Sequence, residues 1–225
     1  QSDMPAAKAH PYLVSFGKLG LVEQDPASSR YELGPLALQL GLTCLRRLNP
    51  VRLGTYAATE LAEQLHQTVA LAVWGNAGPT IVHIEESSHP IHINMRTGTV
   101  MSLFKTATGR VFAAYLPEKT IEHYIEIASH HPYAYPKSDL RPSWKATQKQ
   151  LKEIRAHGMA QVVSEPLPGI NALSAPVFDH EGHLALVITV LGPTALFDPS
   201  LDGENAAALR ACCAELSHRL GHTPE

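Results

Sequence analysis

A chain of 225 residues that is 44% hydrophobic and 17% charged can bury a sizeable core and is too apolar for wholesale disorder. Its formal net charge of −3 excludes a chain-wide basic surface for gripping nucleic acid, so any DNA contact has to be local. The three cysteines, Cys44, Cys212 and Cys213, form neither a Cys-x-x-Cys nor a disulfide framework, which fits a reducing cytoplasm, and no apolar run has the roughly 18 residues a membrane helix needs.

Taken in chain order, Leu13, Phe16 and Leu19 recur at helical spacing, and Gly20 stops the pattern. The spacing predicts a helix over Ala6 to Leu19, starting near Pro11 or bent there, because a proline inside a helix costs about 3 kcal/mol. Two short apolar runs, Leu21-Val22 and Tyr31 to Leu33, flank the polar tip Asp25 to Ser29 and predict a hairpin. Gly34-Pro35 opens a helix with Leu36, Leu38, Leu40, Leu42 and Leu45 and with Arg46 and Arg47 at its C-terminal end, where positive charge is favourable. After Asn49-Pro50, Val51 to Gln67 repeats Leu53, Ala57, Leu61 and Leu65 on one helical face.

The period then changes. Thr68 to Val73, Thr80 to Ile84 and Ile91 to Met95 are strand candidates, with a turn at Asn76 to Gly78. Phe104 to Leu116 and Glu118 to Ser129 are predicted helices split by Pro117, His130 to Leu140 is a predicted loop, and Ser143 to His157 is a polar helix ended by Gly158. Strands return at Ala160 to Val163, Ala172 to Phe178 and Leu184 to Leu191. Asp202 is the predicted cap of a last helix whose inner face is Ala206, Leu209, Cys213, Leu216 and Leu220. This order predicts an α+β fold with one curved antiparallel sheet flanked by helices.

A helix, a polar-tipped hairpin and a fresh helix have the shape of a winged helix-turn-helix running into a linker helix. Three segments together resemble the IclR family of bacterial transcription regulators. The hairpin Gly20-Leu-Val-Glu closing on Tyr31-Glu-Leu-Gly34 looks like the family's wing. The stretch Gly98 to Gly109, GTVMSLFKTATG, looks like its Gly-x-x-x-Pro-Leu-His-x-Thr-Ala-x-Gly segment. Pro168-Gly169 through Ser174 to Asp179, then Gly182 and Gly192-Pro193, looks like its paired terminal strands.

The resemblance implies the remnant of an N-terminal winged helix-turn-helix over 1–34, a linker helix over 35–49, and over 50–225 a GAF-like or profilin-like domain that binds an effector and oligomerises. Its implied partners are double-stranded operator DNA, a small organic acid effector, and itself as a dimer or tetramer; no membrane is involved. The chain departs from the family pattern at Ser102 and Phe104, which replace Pro and His, and at Val162 and Val163, where family members often carry acidic residues. Those valines predict a more apolar pocket.

On the predicted recognition helix, Lys8, His10, Tyr12 and Lys18 are the candidates for phosphate and base-edge contacts. Carried over position by position, the effector pocket takes Ile93 and Met95 from one strand and Leu103, Thr106, Ala107 and Thr108 from a loop and helix start. Asn171, Ala172, Ser174, Thr189 and Leu191 come from the last strands. The helix start offers free N–H groups and a positive dipole end to a carboxylate, and the apolar members suit an aromatic ring. No catalytic residue, cofactor or metal is expected: there is no Gly-x-Ser-x-Gly elbow, no glycine-rich phosphate loop and no His-Glu-x-x-His, although 13 histidines are present. Asp179 and Glu181 read as turn formers. Two alternatives stay open, a stand-alone sensor that signals by protein contact and an enzyme using the same pocket.

Overall fold

A computed structural model describes residues 4–87, 95–130 and 144–223. The backbone divides into two compact units, residues 1–49 and 50–225.

The first unit contains α1 (Ala6–Lys18), β1 (Val22–Gln24), β2 (Tyr31–Leu33) and α2 (Pro35–Arg47). Helix α1 starts at Ala6 and runs through Pro11, so of the two expected alternatives the start near the proline is not realised. Ser15 Oγ donates to the Pro11 carbonyl 2.9 Å away, a local bond within the turn that follows the proline. Gly20 (φ 71°) ends the helix in the left-handed region, and the Leu21 N–H reaches back to the Phe16 carbonyl at 2.9 Å, closing a Schellman-type cap. Strands β1 and β2 pair antiparallel, Val22 opposite Leu33. The base of the hairpin is latched by Gly34 N–H to Leu21 O at 2.9 Å and Leu36 N–H to Gly20 O at 3.0 Å. Gly34 is required there, because a Cβ would collide with the Gly20 carbonyl. It is also the one buried residue among the described side chains of this unit; Leu38, Leu40, Leu42 and Leu45 on α2 are exposed.

The second unit contains α3 (Pro50–Leu65), β3 (Thr68–Gly75), β4 (Gly78–Glu85), α4 (Ala107–Tyr115), α5 (Glu118–His130), α6 (Trp144–His157), β5 (Ala160–Val163), β6 (Ile170–Phe178), β7 (Leu184–Pro193) and α7 (Glu204–Arg219). The five strands form one antiparallel sheet in the order β4-β3-β7-β6-β5. Residues 98–101 run along β4, with Ile81 N–H to Thr99 O at 2.9 Å and Met101 N–H to Pro79 O at 2.7 Å.

Strict alternation sorts the strand side chains into two layers. Val69, Leu71, Leu173, Ala175, Val177, Leu186, Ile188 and Val190 face α3 and α7, whose Ala58, Leu61, Ala206, Leu209, Cys213 and Leu216 complete that core. Ala70, Ala72, Val162, Val187 and Leu191 face the other way, towards α4, which packs on β5, β6, β7 and α6. Trp74 caps this second core against Phe112 and Tyr124, with ring centroids 5.8 and 5.6 Å apart.

The strand candidate Ile91 to Met95 lies outside the described residues except for Met95, and the loop expected over His130 to Leu140 lies outside them except for His130, which ends α5. Asp202 is not the cap of α7. Gly203 holds that position, in extended conformation and without a side-chain cap; a Cβ on it would sit 2.5 Å from the Asp198 carboxylate, so the close approach of Asp198 selects glycine there.

Candidate functional site

Helix α4 owes its start to a short sequence in which each residue has a structural task. Thr106 is the N-cap, its Oγ1 accepting the Gly109 N–H at 3.0 Å and donating to the Ser102 carbonyl at 2.7 Å. This occupies the third amide of the helix and leaves those of Ala107 and Thr108 without an intrahelical acceptor. Gly109 lets the helix press against the loop before it, where a Cβ would collide with the Ser102 carbonyl and with Leu103 Cα.

Over this helix start opens a cavity of about 620 Å³. Its sheet side is Ala70, Val162, Ile170, Ala172, Thr189 and Leu191; its loop side is Met95, Thr99, Val100, Met101, Ser102 and Lys105, with Thr106, Ala107 and Thr108 at the helix start. Glu165, Pro166 and Leu167, from the connection between β5 and β6, complete the wall. The lining is largely apolar, with a few polar groups concentrated at the helix start, the pattern of a small-molecule site.

Inside this apolar lining runs a chain of three hydroxyls. Thr189 Oγ1 lies 2.8 Å from Thr108 Oγ1 and 2.7 Å from Ser174 Oγ. Ser174 is fully buried and Thr189 is its one hydrogen-bond partner among the described residues. An orphaned buried donor is costly, so Ser174 donates to Thr189. Thr189 and Thr108, whose hydroxyls share the next bond, both line the cavity.

Beside the Glu165 wall, Arg110 donates from Nε to the Phe104 carbonyl at 3.0 Å and from Nη1 to the Gln161 carbonyl at 3.4 Å, and its Nη2 lies 3.9 Å from the Glu165 carboxylate. Burial lowers the Arg110 pKa and the Glu165 charge opposes that shift. The guanidinium thus joins α4, the loop before it, β5 and the Glu165 segment.

Of the residues expected at the pocket, Met95, Thr106, Ala107, Thr108, Ala172, Thr189 and Leu191 line this cavity, and Ile93 lies outside the described residues. Leu103, Ser174 and Asn171 stand outside its lining. Leu103 points into the core, fully buried; Ser174 stands behind Thr189; and Asn171 is occupied structurally, donating to the Phe197 carbonyl at 3.1 Å and accepting the Ser164 N–H at 3.2 Å. Sequence reasoning missed Lys105, Glu165 and the 99–102 stretch, which lie in loops without periodicity. Lys105 had a signal all the same, as a cation immediately before a helix cap.

On α1, Lys8, His10, Tyr12 and Lys18 are all exposed. Lys8 and Tyr12, four residues apart, share one stripe, whereas His10, two residues from each, points away from it. Arg30, on the hairpin, is exposed as well. At the hairpin tip Asp25 accepts N–H bonds from Ala27 and Ser28 and the Ser28 hydroxyl, and these hold its carboxyl below the usual carboxylate range, the Ser28 hydroxyl contributing most.

Asp179 closes the turn between β6 and β7, its Oδ1 accepting the amides of Glu181 and His183, each at 2.9 Å. The cysteines are poorly placed for chemistry in the second unit: burial pushes Cys212 up to about 11 and Cys213 well above the ordinary thiol value.

Comparison with known proteins sets this geometry in a family. A model of the bacterial transcriptional regulator IclR C-terminal domain matches residues 43–218. The chain belongs to the IclR family and is a bacterial transcriptional regulator; its relatives are regulators, not enzymes. It is 30% identical over 218 residues to the glycerol operon regulatory protein of Streptomyces griseus, covering 95% of this chain and 83% of that protein. It is 23% identical over 221 residues to the HTH-type transcriptional regulator KdgR of Escherichia coli, covering 97% and 82%. Among solved structures, Pseudomonas aeruginosa HmgR superposes with a TM-score of 0.89 at 34% identity, over 99% of this chain and 87% of that one.

Proposed function

We propose that this regulator is ligand-responsive, with residues 1–34 the end of a winged helix-turn-helix that contacts operator DNA, 35–49 a linker helix, and 50–225 a domain that binds an effector and forms dimers or tetramers. In this reading Lys8, Tyr12 and Lys18 meet phosphates or base edges, and Arg30 on the wing adds a phosphate contact. The protein acts in the bacterial cytoplasm, on the nucleoid when bound to DNA. The effector is a small organic acid with an apolar, aromatic body. The observation that carries this is the 620 Å³ cavity, whose apolar lining surrounds the amide end of α4 and the hydroxyl-bearing pair Thr108 and Thr189. Effector binding changes the population of assemblies competent to bind DNA, by its differential affinity for them.

The test combines calorimetric screening of small organic acids with gel shifts of the full-length protein on its own promoter region. The expected result is at least one acid that binds and alters a specific shift. Absence of any specific shift, at every effector level, overturns the DNA part; absence of any acid that binds overturns the effector part.

A further inference from the structure

Among the described residues the cavity is lined by one cation, Lys105, and one anion, Glu165, beside otherwise neutral side chains. The two charges are treated differently by the fold. Glu165 lies 3.9 Å from Arg110 Nη2, and Arg110 is held from behind by the carbonyls of Phe104 and Gln161. Lys105 has no ion-pair partner among the described residues, and only its backbone is fixed, the N–H donating to Ser102 Oγ at 3.2 Å. Its side chain is exposed on a flexible four-carbon stem, immediately before the Thr106 cap of α4.

We propose that Lys105 is the counter-charge for the effector's carboxylate and that Arg110 acts as a positioning residue that draws Glu165 away from it; this rests on the organic-acid reading above. A carboxylate entering an apolar cavity loses hydration and needs a charge and donors in return. The Ala107 and Thr108 amides supply donors, and Lys105 supplies the charge on the same side, reinforcing the positive end of the helix. Left free, Glu165 would compete for Lys105 and repel the incoming anion. Tied to Arg110, it contributes wall rather than charge.

The experiment is calorimetric titration of the full chain with benzoate, phenylacetate and hexanoate, each beside its methyl ester. The wild type is expected to bind at least one acid more tightly than its ester. Lys105→Met then weakens that acid about tenfold and leaves the ester within about twofold, whereas Lys105→Arg keeps the acid. Arg110→Met weakens the acid too, and adding Glu165→Gln in that background restores it. A simple loss of the two carbonyl contacts of Arg110 predicts no such rescue. An acid preference that survives Lys105→Met overturns the proposal and leaves the organic-acid reading standing. So does a parallel loss of ester binding, which would make Lys105 a matter of shape. If no acid is preferred over its ester in the wild type, both fail.

Discussion

The hydroxyl oxygens of Thr108 and Thr189 lie 2.8 Å apart, and this bond fastens the helix over the cavity to the central strand beneath it. Its worth depends on the third member, Ser174, which is buried and has Thr189 as its acceptor. Thr189→Val keeps the shape but leaves Ser174 with a proton and no acceptor, so it is expected to destabilise the second unit by about 1–3 kcal/mol. Ser174→Ala removes the donor itself and should cost less, about 1 kcal/mol. Urea unfolding of the two variants side by side reads the difference, and equal costs would show that the chain does not run as described.

Ala172→Leu places extra volume in the cavity without touching any hydrogen bond, since Ala172 lines it through a methyl group alone. Ligand binding in the cavity should weaken at least tenfold, while stability stays within about 1–2 kcal/mol because the added atoms enter empty space. Calorimetry beside thermal unfolding tests both halves, and unchanged affinity would put the ligand elsewhere.

Gly109→Ala has the opposite profile. The new methyl meets backbone, the Ser102 carbonyl and Leu103 Cα, neither of which can turn aside. The start of α4 has to lift, at a cost of about 2–3 kcal/mol, and the cavity opens with it. Loss of stability and of ligand binding should therefore appear together, measured by denaturation and titration on the same sample.

Asp25 gives the wing a pH dependence. Its folded carboxyl titrates below its unfolded value because the Ser28 hydroxyl and the Ala27 and Ser28 amides favour the charged form. The stabilisation of the tip is complete above the unfolded carboxylate pKa and is lost as pH falls through the lower, folded one. An NMR titration of the side-chain carboxyl carbon should place Asp25 below the ordinary aspartate value, and Ser28→Ala should move it back up.

What was legible in the sequence follows from which signals are local. Strand β5 was readable to the residue, Ala160–Val163, because Gly158 bounds it on one side and the polar stretch after Val163 on the other. The inner face of α7 was readable from its period: Ala206, Leu209, Cys213, Leu216 and Leu220 are all buried. Pro11 left two alternatives open because its penalty is an average over helix interiors, and here α1 accepts it as its sixth residue. Ser174 and Thr189 were recognisable as cavity-side hydroxyls, but their order was not, since which of two stacked hydroxyls stands in front depends on the position of α4. Lys105 and Glu165 sit in connections whose course is set by tertiary contacts, among them Arg110 reaching two carbonyls 6 and 51 residues away in sequence.

The alternation of β3 has one further consequence. Ala70 lines the cavity, and the next residue, Leu71, supports Gly54 of α3 on the opposite side, where a Cβ on Gly54 would touch Leu71 Cδ1 at 3.1 Å and Leu186 Cδ2 at 3.2 Å. Helix α3 is where the chain enters this unit, directly after residue 49. The cavity wall and the seat of the helix through which the chain enters this unit are therefore consecutive residues of one strand, on its two faces.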